Sequence, residues 1–481
     1  MSRRIARVLV TGAAALSIFG AAAAGASGTA TGASRASHAS AIPGAQLWAE
    51  RYHGPGNGPE TLFPSGTQSL AVSPDGAEVF VTGGSTGAKS GLDFATVAYD
   101  AATGARLWVR RYNGPANHDD SATSVAVSPN GARLFVTGTT EVAENGADYA
   151  TVAYNAATGA QLWVKRYNGP ANRNDGAVSV AVDSGGSRVF VTGTSEGATL
   201  GREDYATVAY NAATGAQLWV KRYNGPANGD DNASSVALSP NGTRVFVTGH
   251  SAGPASRPDY ATVAYNAATG AQLWVKRYNG PGNSDDEASS VALSPNGSRV
   301  FVTGTSASVN SGPEYATVAY SAASGTQLWV RRYKGPGARP SFAGSVVASR
   351  DGAKVFVTGT SATVAYHAGT GAQLWLRSDG AFIGVGGGST PPPTVVVSRD
   401  GAKVFVAGTA RGVISGEDYA TVAYSAATGA RLWTSRYNGP ANGDDTARSV
   451  VVSPSGRTVF VNGISEGAGS GPDYATVAYR V

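Results

Sequence analysis

The 481-residue chain has no cysteine, one methionine, five histidines and only 14% charged residues. Without cysteine there are no disulfides and no thiolate metal sites, so stability rests on packing and strand pairing. The scarcity of histidine leaves little for acid–base or metal chemistry, and His38, His53, His118, His250 and His367 fall at unrelated positions. No stretch shows a helical period, and no apolar run approaches the ~20 residues that span a bilayer. Glycine, by contrast, is abundant at 65 residues.

Residues 1–41 differ from the rest. Arg3, Arg4 and Arg7 precede an apolar run from Val8 to Phe19, and Ala22–Ala26 offers A-x-A cleavage sites. The pattern predicts a signal peptide over 1–26 and a flexible Ser/Ala/Gly leader over 27–41, hence a secreted, extracellular bacterial protein. Ser2-Arg3-Arg4 leaves general or twin-arginine export open. Residues 1–41 hold four arginines and no acid, so the remainder has 37 − 4 = 33 basic and 32 acidic residues, a net of +1. That sum gives no support for nucleic-acid or anionic-membrane binding.

Residues 42–481 repeat one phrase. Tyr205–Tyr223 reads YATVAYNAATGAQLWVKRY, and close copies stand at 149–167 and 260–278. All eight tryptophans sit in copies: Trp48, Trp108, Trp163, Trp219, Trp274, Trp329, Trp375 and Trp433. The usual spacing is 55 or 56 residues, and each period contains four short β-branched and aromatic runs bounded by Gly, Asn and Pro. The chain starts with a lone fourth run, Gly44–Tyr52, and ends with a lone third run, Tyr474–Tyr479. This predicts an all-β, eight-bladed β-propeller of four-stranded antiparallel blades, with the last blade closed by the N-terminal strand.

The phrase, with Asn-Gly-Pro, Asp-Asp, Ser-Val-Ala and Val-Phe-Val-Thr-Gly after it, resembles the bacterial extracellular SBBP-type propeller repeat over nearly all of 44–481. Thr-Gly-Ala-Gln-Leu-Trp also resembles, more loosely, the tryptophan-docking motif of pyrroloquinoline-quinone (PQQ) propellers. The first resemblance implies a fold and a secreted location more than a chemistry. The second is not accompanied by quinone or calcium ligands.

The repeated residues read first as structure. Eight equivalent tryptophans are expected to pack between blades, since one buried indole removes ~150–250 Å² from water. The arginine three residues after each of seven tryptophans, the acid before the third strand and the acid pairs Asp119-Asp120, Asp230-Asp231, Asp285-Asp286 and Asp444-Asp445 read as charge pairing and loop capping. A ring of calcium sites on those acids is the alternative; no cofactor other than calcium is implied, and no metal ligand set is established. Arg51 and Arg332 persist where the acid pair is missing, so pairing of the arginine with that pair is not obligatory.

No catalytic residues stand out: no H-x-x-x-H pair, nucleophile elbow or phosphate cradle occurs in a fitting context. Identical blades supply identical groups, whereas a catalytic site needs different groups in one place. Unique chemistry is therefore expected where the repeat breaks, at 53–68, 334–344 and 376–394. There Phe342, Arg377, Asp379 and Phe382 are candidate ligand contacts lining a notch in the long-loop rim. The inner strands are expected to bring small hydroxyls and methyls to the channel, but no carboxylate or His. The resulting reading is a monomeric, non-catalytic binding scaffold whose long-loop face takes an unknown protein or glycan, with no nucleic acid and no membrane span. A PQQ-like or carbohydrate-active enzyme and a purely structural surface protein are the alternatives.

Overall fold

The computed structural model describes residues 42–481 apart from 57, 62–68, 143–145, 198–201, 254–256, 310–311, 337–339, 379–381, 383–390 and 413–415. The expected signal peptide and leader, with their boundaries at 26 and 41, lie outside the described residues, as does Asp379.

Eight four-stranded antiparallel sheets follow one another along the chain. We number them as blades one to eight. Blade three is typical, with strands Asp175–Val182, Arg188–Glu196, Glu203–Asn211 and Gln217–Tyr223. Blade four repeats it with Asp231–Leu238, Arg244–Ala252, Pro258–Asn266 and Gln272–Tyr278. First strands of successive blades touch around the whole ring, including blade eight against blade one, so they surround the axis. No strand edge is left open at the seam. Gln46–Tyr52 pairs with Gly471–Arg480, Trp48 opposite Ala478, and supplies the fourth strand of blade eight. Among the described residues there is no helix, and so none long and apolar enough to cross a membrane.

The core lies between blades rather than within them. Phe190, Tyr205, Ala209 and Trp219 of blade three close on Val236, Val245, Val247, Val263 and Tyr265 of blade four. Alternation produces this: in each middle strand one set of side chains faces the preceding blade and the other the following one. Seven tryptophans are buried at 6–8% exposure, while Trp433, beside the seam, is half-buried. Each of the seven donates its indole N–H to an alanine carbonyl in the third–fourth turn of the next blade, as Trp274 does to Ala322 at 3.2 Å. The Trp433 indole has no acceptor among the described residues. Its counterpart turn is the one split by the seam, where Gly44 N–H donates to the Arg480 carbonyl.

Fourth-to-first and second-to-third connections emerge at one end of the ring, the long-loop face. The two short turns of each blade emerge at the other. Blade six is cut down at its long-loop end, with second and third strands of only Lys354–Gly359 and Thr363–His367.

Candidate functional site

The acid pair divides its work. The second acid, or the single Asp175, is the first residue of the first strand in blades two to five and eight, and caps its own loop, six residues back. Asp231 Oδ2 accepts the Gly225 N–H at 2.6 Å, and Asp286 and Asp445 accept those of Gly280 and Gly439 at the same distance. Asp120 does so for Gly114 and the single Asp175 for Gly169. Burial pushes the carboxyl pKa of all five upward, against the backbone amides that hold the charge. The first acid is exposed and ties down the preceding blade. Asp119 and Asp444 accept the N–H groups of Leu92 and Glu417, Asp230 that of Glu203, and Asp285 pairs with Arg257. Among the described residues no three of His, Asp or Glu gather where one metal ion could bridge them.

The repeated arginine pairs with the other acid, the one before the third strand. Arg222 meets Asp204 at 2.7 Å, Arg277 meets Asp259 at 2.9 Å and Arg111 meets Asp93 at 2.8 Å. Arg51 and Arg332, which lack an acid pair, have Asp473 at 2.8 Å and Glu314 at 3.2 Å. Their persistence thus reflects this second acid, which the spacing alone did not single out. The same guanidinium reaches the tyrosine hydroxyl of the preceding blade and a second-strand serine: Arg222 touches Tyr167 and Ser195. The half-buried guanidinium gives its Nε and Nη2 to a single carboxylate oxygen, Asp204 Oδ2, and through Tyr167 also links two blades.

The notch candidates do not meet. Arg377 stands two residues after Trp375, not three, and points to the opposite end. Its Nε and Nη2 donate to the carbonyls of Gly429 and Thr428, at 2.6 and 2.9 Å, in a short turn of blade seven. Phe382 packs against the shared core of blades six and seven, near Gly408. Phe342 is half-buried at the lowered rim of blade six, where its N–H donates to Thr360 Oγ1 at 3.0 Å. Tyr315 of blade five covers the shortened loop by accepting the N–H groups of Ser361 and Ala362.

Three charged or titratable groups break the repeat, two of them, Glu287 and Arg448, on inner strands where only small side chains were expected. Glu287 is exposed near the start of a first strand, and His250 stands on a second strand where Thr139, Thr194 and Thr305 stand elsewhere. Arg448 occupies the first-strand position of Thr123, Ser234 and Ser289. Its Nε has no partner, and burial lowers its pKa. Aligning the eight periods residue by residue would have flagged all three.

His250 lines a cleft of about 250 Å³ between blades three and four, with Arg202, Ala227, Gly229, Asp230, Ala252 and Pro258. Thr194 Oγ1 donates to Asn232 Oδ1 at 2.8 Å, which leaves the Asn232 amide to donate to His250 Nε2 at 3.0 Å. The neutral ring then carries its proton on Nδ1. Arg202 and Asp230 add a donor and an acceptor, so the cleft suits a polar group carrying both.

A search of curated proteins found no match. Among solved structures, BamB from Moraxella catarrhalis aligns at 13% identity and TM-score 0.50, covering 91% of this chain and 99% of its own. Sqt1 from Chaetomium thermophilum, bound to the N-terminus of ribosomal protein L10, aligns at 12% identity and TM-score 0.56, covering 87% and 97%. At such identities these likenesses concern the fold. The family model described as outer membrane protein assembly factor BamB (PQQ_2) matches residues 32–203, 180–312 and 314–471. Spanning most of the eight-bladed ring, these matches show that the chain belongs to this PQQ-like propeller family.

Proposed function

We propose that the protein is a secreted, monomeric, non-catalytic binding scaffold that holds a protein or glycan partner on its long-loop face. One observation carries this reading: all long connections, the lowered rim at blade six and the cleft at His250 share one end of a rigid ring. Loops held by a rigid scaffold are where recognition usually sits. The repeated acids cap loops and link blades, roles they fill without a metal ion. The fold it shares with Sqt1, there bound to a ribosomal protein terminus, supports a protein partner. Export rests on the basic, apolar and small-residue order of residues 1–26, and the finer SBBP-type resemblance agrees with it.

The test is affinity capture and a glycan array with the mature protein, repeated after residues 376–394 are replaced by a regular repeat segment and, separately, with His250→Thr. Loss of a captured partner in either variant, with an unchanged melting curve, supports the reading. Capture that survives both changes overturns it. A melting temperature that falls in chelator would restore the calcium alternative, and recovery of the unprocessed chain inside the cell would count against secretion.

A further inference from the structure

The near-neutral sum of charge over residues 42–481 hides a segregation by height. Two positions of the repeat place cations on the short-turn side. The first residue of the second strand is Arg133, Arg188, Arg244, Arg299, Lys354 and Lys403 in blades two to seven. The second residue after the tryptophan is Arg110, Lys165, Lys221, Lys276, Arg331 and Arg377 in blades one to six. These last reach down to the neighbouring short turn, as Arg110 does to the carbonyls of Thr158 and Gly159. At the same two positions only Glu78 and Glu50 are acidic, and both stand next to the seam.

Counting the two short turns of every blade, the strand residues that adjoin them and the second position after each tryptophan, this side holds 18 basic and 7 acidic side chains, an excess of 18 − 7 = 11. Neutralisation differs as well. On the long-loop side six of the seven repeated arginines have a carboxylate within 4 Å, Arg166 being the exception among the described residues. On the short-turn side Arg188 pairs with Asp183 and Lys354 with Asp351, while Arg110, Arg244, Arg331, Arg377 and Arg399 donate to neutral carbonyls. The acids there, such as Asp75, Asp100 and Asp400, are held in their own turns by hydroxyl and amide donors. Beside the same turns each blade also exposes one leucine, from Leu47 at 38% to Leu432 at 47%.

We propose that the short-turn face docks on an anionic lipid bilayer. The cations lie at two radii around most of a disc. A linear polyanion would cross only part of that disc, whereas a planar charged surface meets all of it at once. Juxtaposed lysines and arginines add their attraction to anionic headgroups, within about a Debye length of the surface. The exposed leucines lie where apolar contact would add to it. Glu50 and Glu78 tilt the contact away from the seam. This face is the opposite one from the long loops, so docking would leave the proposed partner site open.

The experiment is co-sedimentation of the full chain with vesicles of phosphatidylcholine alone and of phosphatidylcholine mixed with phosphatidylglycerol. Binding is expected only to the anionic vesicles, and to be lost at about 1 M salt, where the screening length falls to about 3 Å. The triple change Lys165→Glu, Lys221→Glu and Lys276→Glu should weaken partitioning by at least about a hundredfold. Lys89→Glu on the other face should leave it unchanged. The variants share the leader, so their difference reports the face alone. Equal binding to both vesicle types, or equal loss in both variants, overturns the proposal. So does binding to heparin without binding to vesicles. Should the triple variant melt early, the same three changes made singly give the comparison.

Discussion

Gly270 lies directly on the indole of Trp219 in the preceding blade: a Cβ at Gly270 would stand 2.8 Å from Trp219 Cδ2. Its φ of 69° adds a second reason for glycine. Three residues earlier, the Ala267 carbonyl accepts the Trp219 indole N–H at 3.1 Å. One turn of blade four thus serves as the socket for a tryptophan of blade three. Trp219→Ala should cost about 3–5 kcal/mol, the range of large-to-small aromatic changes in cores. Gly270→Ala should destabilise as well, through clash and backbone strain. Denaturant melts followed by fluorescence check both, and an unchanged midpoint for Trp219→Ala would refute the socket.

Stability should depend on pH in a direction set by the capping acids. Burial raises the folded-state pKa of Asp120, Asp175, Asp231, Asp286 and Asp445 above their unfolded values. The folded chain then binds protons more tightly than the unfolded one, and the charged forms cost stability at neutral pH. That cost is relieved as pH falls through the raised values toward about 4. Below that, Asp75, Asp100, Asp351 and Asp400, whose pKa values are lowered by hydroxyl and backbone donors, begin to lose stabilisation. The melting temperature should therefore rise as pH falls from neutral toward about 4. Asp231→Asn should reduce that rise, and calorimetry across the range measures it.

Arg448 holds a charge in the wall of the ring with no acceptor at Nε. An uncompensated, largely desolvated charge is costly. Arg448→Thr, which restores the residue found at position 123, should raise the melting temperature. A fall would show that the guanidinium has a stabilising partner in solution.

The seam makes a topological prediction. Without Gln46–Tyr52 the edge of Gly471–Arg480 loses its partner, and Trp48 leaves the core of blades eight and one. A chain lacking residues 42–52 should aggregate or melt lower, because an open apolar edge pairs with other chains. Light scattering during a thermal ramp reads the result.

Much of the fold was legible because each blade states its own pattern. Alternation around Val245–Thr248 and Val263–Tyr265, the glycine turns and the 55-residue period are local facts, repeated often enough to average out exceptions. The candidate site was less legible. Arg377 differs from the Asp-paired arginines by one position along a strand, and that one step turns it from the long-loop end to the short-turn end. Phe382 read as a notch contact because the repeat breaks at 376–394, yet it fills space beside Gly408.

The sequence by itself determined the ring: eight equivalent units, four strands each, and ends that complete one another. Periodic patterning of apolar residues specifies strands and their faces without reference to distant parts of the chain. Only the tertiary structure decided which acid each arginine holds, that His250 and Arg202 share a cleft, and that cations collect on one face while the sum stays near zero. Those relations join residues on neighbouring strands or neighbouring blades. They depend on height and radius in the ring, which are coordinates that composition and spacing do not carry.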